Sequence, residues 1–426
     1  MIQFDLQYFA TPANYAGGGA VTNTTTGDVN SYTGVGNATG ALSPTMKTYY
    51  DTELLENVRP NLIYAQLGDR EPLPRNRGKN VEWRKWNLLP NAQELTEGVI
   101  PTGQKLGMSS VTQAITQHGL YVSVSDQLDL HAVDNVILGA TEELSASAAE
   151  SQDTLVRNEL LTNPVLQFAP NVAAGVETAN TTFATMDATA KITPTEVNRA
   201  ATKLKKMKAP TINGKYVAVV HPSVAFDLRQ SQEWIEAHKY AATTEIFNGE
   251  IGELHGVRFI ETTQAPIIKG ENLAGATKTL AVNGAVSDSA SVTFDGGTVA
   301  AGALAGRWVL IGSYLRQILA NTATVLTLDA PVTVADNAVI SPVVGAAGAV
   351  YATFFFGKGA FKIIDPDGGG MEMIIHPKDE AGGPLDQFST IGYKFSQAAK
   401  VVYDDRMVTL FTSSAYSADD EGNVEI

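Results

Sequence analysis

Six histidines stand at positions 118, 131, 221, 238, 255 and 376. Imidazole is the side chain most often asked to bind a metal or move a proton near neutral pH. Here none sits at His-x-His, His-x-x-x-His or His-Glu-x-x-His spacing, so no zinc site is signalled. His221 and His376 each precede a proline, which suits a structural place at the end of a strand. No Gly-x-Ser-x-Gly elbow presents a serine nucleophile, and no Gly-x4-Gly-Lys-Ser/Thr loop cradles a phosphate. Gly34-Val-Gly36-Asn-Ala-Thr-Gly40 is one residue too long for a dinucleotide fingerprint and follows no predicted strand. Asp365-Pro-Asp367-Gly-Gly-Gly370 opens like a calcium loop, but Gly369 fills the fifth position and His376 the twelfth, where a bidentate glutamate is needed. It reads as a Gly-rich turn. Asp404 and Asp405 are adjacent on a turn, so their carboxylates need not converge. The chain has no cysteine, which removes disulfides, thiolate metal sites and thiol nucleophiles, and fits a reducing cytoplasm. The expectation is a protein that is not an enzyme, with no catalytic, cofactor-binding or metal residues and no cofactor. Groups brought together from distant positions stay outside the reach of spacing.

The remaining chemistry-bearing segment is Asp69 to Trp86. It holds the basic residues Arg70, Arg75, Arg77, Lys79, Arg84 and Lys85 against the acidic Glu71 and Glu82, with tryptophans at 83 and 86. Prolines set an extended approach, Asn76 and Gly78 suit a turn, and Val81 to Trp86 suits a strand. Val111 to Val124 alternates well enough to be the return strand. Together they predict a projecting β-arm over 69–124. Trp and Arg are favoured anchors of protein interfaces, so Arg75, Arg77, Lys79, Trp83, Arg84, Lys85 and Trp86 are candidate subunit-interface residues. Basic residues interleaved with aromatics can also bind single-stranded nucleic acid, and an ordinary solvated hairpin is the third reading. The formal net charge of −15 weighs against a broad nucleic-acid grip.

The elements that must position this limb follow from punctuation and periodicity. At 426 residues the chain should form two or three domains. Its 18% charged content is below the usual quarter, which suggests that much of the surface faces other protein. Residues 1–46 are rich in Thr, Gly, Asn and Ala and read as an extended N-terminal arm. Met1 to Ala10 lacks the basic n-region and apolar core of a secretory signal. A short helical segment is expected over 47–68. Asp134 to Thr162 carries the longest helical pattern, capped by Asp134 and stopped by Asn163-Pro164. A second helix, Thr195 to Lys208, is capped by Thr193 with Pro194 in its first turn, and its lysine-rich tail complements the helix dipole. Tyr216 to Val220 is an unbroken apolar run, as in a strand covered on both faces. It ends at Pro222, with Ser223 expected to cap a helix over Val224–Gln230. Residues 266–344 read as an all-β module inserted into the central domain. The main fold resumes at Ala349 to Phe356 and Ala360 to Ile364. Thr390–Phe395 and Lys400–Phe411 read as two strands around a turn. The uncharged stretch Ala338 to Gly357 is about as long as a spanning helix, but Pro342, Gly345 and Gly348 make it a loop feeding a buried strand.

Three groups of residues share their wording and order with a known family. They are Tyr216-Val-Ala-Val-Val-His-Pro222 with Asp227-Leu228; Gly249-x-Ile-Gly252 with Gly256-Val-Arg-Phe259; and Ile391-Gly-Tyr-Lys-Phe395 with Asp405-Arg-Met407. In this the chain resembles the tailed-bacteriophage major capsid proteins, and is similar to the coliphage N-four-like major capsid family. The resemblance implies an α+β Hong Kong ninety-seven-type fold. Its N-arm would be 1–46, its E-loop the 69–124 arm, and its spine helix and part of the P-domain 125–193. The A-domain core would begin at 194–265, be interrupted by the β module at 266–344, and close with strands in 345–426. It implies a structural role: hexamers and pentamers of one chain forming an icosahedral phage head around double-stranded DNA, held without sequence-specific binding and with no membrane. Portal, scaffold or decoration proteins would be further partners. The place would be the virion capsid, after synthesis in the bacterial host cytoplasm. Some members of this fold crosslink an E-loop lysine; Lys79 and Lys85 lie in that region and no motif selects either. An encapsulin-like nanocompartment shell and a phage tail or adhesion protein stand as alternatives.

Overall fold

In the computed structural model the structure describes residues 22–23, 31–33, 40–41, 63–74, 78–87, 89, 91–92, 94, 103–125, 136–238, 252–269, 273, 280–366, 370–376 and 387–424. The chain divides into two compact units, Met1–Val58 and Arg59–Ile426. In the first, Thr22–Asn23, Ser31–Thr33 and Gly40–Ala41 pair as a small antiparallel sheet. The rest of the expected arm, and residues 47–62 of the expected helical segment, lie outside the described residues.

Two sheets organise the second unit. The central one runs in the order Glu253–Leu254, Val257–Glu261, Tyr216–Val220, Val350–Phe356, Met407–Thr412, Leu166–Phe168, with Ile267–Ile268 also on Val350–Phe356. Its central strands Tyr216–Val220 and Val350–Phe356 are buried along their whole length because both faces are covered. Tyr216, Ala218 and Val220 meet Val197, Ala201 and Leu204 of the helix Pro194–Lys206 and Val224 and Leu228 of the helix Pro222–Arg229. Val217 and Val219 point the other way, into a core with Val156, Leu160, Phe183, Phe354 and Phe411. All five residues of the strand Tyr216–Val220 are buried.

The helices begin as their residue types dictate, with one change. Thr193 accepts a hydrogen bond from the Glu196 backbone N–H, and Pro194 occupies the first turn. At the other helix the cap is His221, not Ser223. The His221 Nδ1 accepts from the Ser223 N–H at 3.2 Å. The helix therefore starts at Pro222, where a missing N–H costs nothing, and the Ser223 hydroxyl is free to donate to Asp420 at 2.5 Å.

The second sheet is built on one long strand, Phe388–Val401. Along one edge Thr116–Ser125 pairs with Phe388 to Gln397. Along the other, Glu372–His376 pairs with Thr390 to Lys394 and Phe361–Pro366 with Ala398 to Val401. Asp69–Leu73 then lies parallel to Phe361–Pro366. The helix Val136–Leu160 packs across this sheet through Leu144, Ala148, Ile391, Tyr393 and Phe395, and Ser147 Oγ lies 3.2 Å from the Tyr393 hydroxyl.

Two expectations are corrected here. Phe388–Val401 is continuous, so the break in the closing strands falls at the 3-10 turn Asp404–Arg406, and Met407–Thr412 leaves for the central sheet. The expected return strand is two strands in two sheets. Met108–Ala114 pairs with Asn80–Trp86, whereas Thr116–Ser125 pairs with Phe388–Val401. Ile115 forces the change of sheet. Its side chain is buried against Ile364 and Ala398, and its N–H donates to the Lys79 carbonyl at 3.0 Å.

The short helix Tyr64–Leu67 has no cap of its own. Asp153, on the long helix, substitutes by accepting from the Ala65 N–H at 2.8 Å and the Ile63 N–H at 3.4 Å. Burial pushes the Asp153 carboxyl above the usual carboxylate range, and these donors with Arg157 oppose the shift. Asp153→Ala should therefore lower stability by about 1–3 kcal/mol, the cost of orphaning buried donors. Urea unfolding checks this; an unchanged midpoint would show that the helix is held by Tyr64 packing alone.

Between Ile268 and Val350 the chain forms a closed six-stranded barrel, from Leu280–Val282 to Val339–Pro342. Val325–Val334 alternates buried and open residues along its whole length, the period-2 signature of a strand with one face inward. Trp308, Leu310 and Leu315 reach out of the barrel into the central core. Arg316 is buried at the same seam, donating to the Thr162 carbonyl at 2.6 Å. Around it lie Asp329 and the Lys400–Glu159 ion pair, 2.9 Å apart. A cavity of about 220 Å³ opens there, lined by Glu159, Gln317, Asp329 and Gln397 among others.

Candidate assembly surface

The projecting hairpin stands on the second sheet. Asp69–Leu73 fixes its root, and Asn80–Trp86 and Met108–Ala114 form its two limbs, paired from Asn80 with Ala114 to Trp86 with Met108. Strand alternation sorts the candidate residues onto two faces. Val81, Trp83 and Lys85 turn toward the body; Asn80, Glu82, Arg84 and Trp86 turn away.

Trp83 is therefore tied to its own chain. Its indole N–H donates to Glu71 Oε2 at 2.9 Å, and its ring packs beside Ile115, Ile364 and Ala398. Lys362 completes the knot, 2.7 Å from the same Glu71 oxygen and 6.0 Å above the Trp83 ring. The Lys362 and Trp83 hydrogen bonds hold the Glu71 carboxyl below its ordinary value. Lys85 sits 5.4 Å over the Tyr403 ring. On the opposite face Arg84 pairs with Glu82 at 3.3 Å, both side chains largely in solvent, a contact worth little by itself. Trp86 is 62% exposed. Lys79 is exposed as well, and Arg75 and Arg77 lie outside the described residues.

The described candidates thus do not all face one way: Trp83 and Lys85 turn inward, Arg84 and Trp86 outward. Spacing carried that signal: positions 83 and 86 differ by an odd number and must point to opposite faces. The residues passed over are apolar. Met108, directly across from Trp86, is 48% exposed, and Leu89 and Leu106 are 57% and 56% exposed. A tip with several large apolar side chains in water is the kind of surface that marks a protein contact.

Among the described residues no group of three His, Cys, Asp or Glu could hold a metal ion, and no helix is long and apolar enough to cross a membrane. Ser223, His221 and Asp420 do come together, but in an order that makes no nucleophile. The Ser223 hydroxyl is bonded to Asp420, and His221 Nδ1 is spent on a backbone N–H. Burial lowers the His221 pKa, with Asp420 opposing. Tyr351 also donates to Asp420, at 2.6 Å, and burial, then this bond, raise its pKa. The cluster clamps the C-terminal turn onto the end of the central sheet.

Residues 109–286 match a family model described as phage capsid protein. No curated protein matches the chain. Among solved structures, the capsid of the cyanophage P-SCSP1u superposes with a TM-score of 0.53 at 13% identity, covering 88% of this chain and 95% of that one. The capsid of Ralstonia phage GP4 gives 0.52 at 14%, covering 89% and 98%. The capsid asymmetric unit of cyanophage Pam1 gives 0.52 at 11%, covering 90% and 100%. Such identities speak for architecture alone, and the architecture extends over nearly the whole chain. The chain therefore has the phage capsid fold of the Hong Kong ninety-seven type, with the phage capsid family's pattern in its residues 109–286.

Proposed function

We infer that the chain is the major capsid protein of a tailed phage, a structural subunit that assembles with copies of itself into the hexamers and pentamers of an icosahedral head around double-stranded DNA. The observation that carries this is the match of nearly nine-tenths of the chain to whole phage capsid subunits. The exposed apolar hairpin tip supports it, since a monomer gains nothing from Trp86, Met108, Leu106 and Leu89 in water. The physical task is geometric. Many modest contacts, each too weak to hold a pair of subunits, sum when a closed shell makes them simultaneous. A net charge of −15 keeps the wall from adhering to the DNA it encloses. Portal, scaffold or decoration proteins are proposed as further partners, and synthesis in the bacterial host cytoplasm as the origin. The tail or adhesion reading finds no support in this fold. A nanocompartment shell would differ by its cargo, which nucleic-acid extraction from purified particles identifies.

Electron microscopy of the purified chain, alone and with its scaffold, tests the assignment; closed shells or six-fold rings are expected, and fibres or discrete trimers would overturn it. The interface role proposed for the basic limb (Arg75, Arg77, Lys79, Trp83, Arg84, Lys85, Trp86) divides between two variants. Trp86→Ala should leave the melting temperature unchanged while shell yield falls severalfold. Trp83→Phe, which removes the indole donor to Glu71 and part of the ring packed beside Ile115, Ile364 and Ala398, should cost about 1–3 kcal/mol of stability. Normal shells from Trp86→Ala would remove the tip from the interface.

A further inference from the structure

A second surface, away from the hairpin, also lacks its partner. The helix Pro194–Lys206 ends in Lys203, Lys205 and Lys206, followed by Lys208. In a chain with 45 acidic and 30 basic residues, such a run would be expected to find carboxylates of its own. None of the four forms an ion pair among the described residues. Lys203 donates to the Leu166 carbonyl at 2.9 Å, and burial lowers its pKa. Arg199, one turn earlier, is already neutralised by Glu177 at 2.6 Å and by Glu196. Between this helix and Leu166–Phe168, the edge strand of the central sheet, runs a groove of about 430 Å³. Phe168 lines it together with Thr195, Asn198 and Thr202, and Lys203 and Lys206 stand on its rim. Glu196 and Arg199 line it too, but they are paired with each other, and Glu196 also accepts from Gln167. The groove therefore offers the open edge of Phe168, whose ring packs on Phe183 and Phe411, beside the charges of Lys203 and Lys206.

The complementary shape lies on the same chain at the turn that follows Met407–Thr412. Tyr416 is 40% exposed, and its ring meets Phe226, equally exposed, edge to face at 5.4 Å. Asp419 and Glu421, both exposed, have no ion-pair partner among the described residues. Asp420 between them is occupied by Ser223 and Tyr351, with Lys269 at its carbonyl. Those bonds hold the turn rigid, so the knob is prepared in advance and little ordering entropy is lost on docking. An aromatic knob with an anionic collar and a groove with an aromatic edge beside lysine charges match in charge and in kind.

We propose that the Tyr416–Glu421 turn of one copy seats in the groove beside the helix Pro194–Lys206 of the next copy, a head-to-tail contact within a ring. Knob and groove are different patches, so the contact is heterologous, and heterologous contacts close into rings when the rotation allows. The inference rests on the shell-subunit reading and adds to it a second, salt-sensitive joint.

The test uses charge reversal in the full chain. Variant one carries Thr202→Glu and Lys206→Glu, both exposed and both lining the groove; variant two carries Asp419→Lys and Glu421→Lys. Each alone places like charges across the joint and should lower ring formation more than about tenfold. Mixed in equal amounts, they place opposite charges at every joint of an alternating ring. The mixture should therefore recover six-membered rings but not five-membered ones, because alternation cannot close on an odd number. Native mass spectrometry reads both stoichiometry and composition. Rings from either variant alone at the wild-type level, or a mixture no better than its components while both remain folded by circular dichroism, would overturn the contact. Sedimentation of the wild-type chain separates this from the parent reading. Salt-sensitive self-association without shells would support the contact and count against the shell.

Discussion

Gly357→Ala should destabilise the chain by at least about 3 kcal/mol. Gly357 follows directly on the buried strand Val350–Phe356. A Cβ at this position would lie 2.2 Å from the Pro210 carbonyl oxygen, a backbone atom that no rotamer change can move. That carbonyl accepts the Lys358 N–H at 2.9 Å, and the Gly357 N–H donates to the Arg406 carbonyl at 2.9 Å. Relieving the clash pulls apart both bonds and shifts the link between the helix Pro194–Lys206 and the strand Tyr216–Val220. Gly139→Ala is the matched control. Gly139 sits in the long helix with nothing within 4 Å of its would-be Cβ, so alanine there should stabilise by about 0.5–1 kcal/mol. Urea unfolding of both variants decides the matter; equal midpoints would mean that the Pro210 turn yields at no cost.

The second large effect concerns pH. Burial at the barrel seam pushes the Asp329 carboxyl from its ordinary 3.8 up to about 6, and Arg316, facing it, limits the rise. The folded chain therefore holds this proton more tightly than the unfolded chain does. The resulting stabilisation is complete below the unfolded value and is lost as pH rises through the folded one. Lowering pH from neutrality to about 5 should thus add on the order of 1 kcal/mol from this group. Asp153, Glu196 and Asp404, each raised mainly by burial, act in the same direction. Glu71, lowered by Lys362 and Trp83, and His221, lowered by burial, act in the opposite one. Thermal unfolding should show a higher midpoint in mild acid than at neutral pH. Asp329→Asn, whose amide oxygen can still accept from the Gln317 and Ala330 N–H groups, should flatten that slope. Glu159, Lys400 and Asp404 share the seam with Arg316. A slope that Asp329→Asn leaves unchanged would exclude the mechanism.

How much of this was readable in advance depended on whether the pattern was local. Tyr216–Val220 announced itself because five apolar residues in a row, closed by His-Pro, have few other uses. The Thr193-Pro194-x-Glu196 cap was equally plain. Phe388–Val401 was not. Ser396, Gln397 and Lys400 break its apolar pattern, and the reason they are tolerated is tertiary: Gln397 is buried beside the seam cavity, and Lys400 pairs with Glu159. The sheet change at Ile115 was hidden likewise, because its cause is a pocket made by Ile364 and Ala398, far along the chain. For the interface candidates the limit was different. The basic and aromatic residues drew notice by type, while the alternation that sends Trp83 inward and leaves Trp86 and Met108 outside needed only counting. The resemblance to phage capsid proteins rested on several short motifs, each weak alone, and on their order along the chain.

The long strand Phe388–Val401 also bears on timing. The hairpin's base is completed by pairing Thr116–Ser125 with this strand, and a typical contact, Ser389 to the Val124 carbonyl, joins residues 265 positions apart. Its root, at Arg70, is tied to Asp365 across 295 positions. Contacts of such sequence separation are the slow ones to form, and a ribosome delivers the N-terminal partner long before the C-terminal one. The hairpin that we propose reaches a neighbour thus cannot be set in place on a nascent chain. Synthesis must be nearly finished before a subunit can offer its grip, so the pool of subunits ready to join a shell is limited to finished copies.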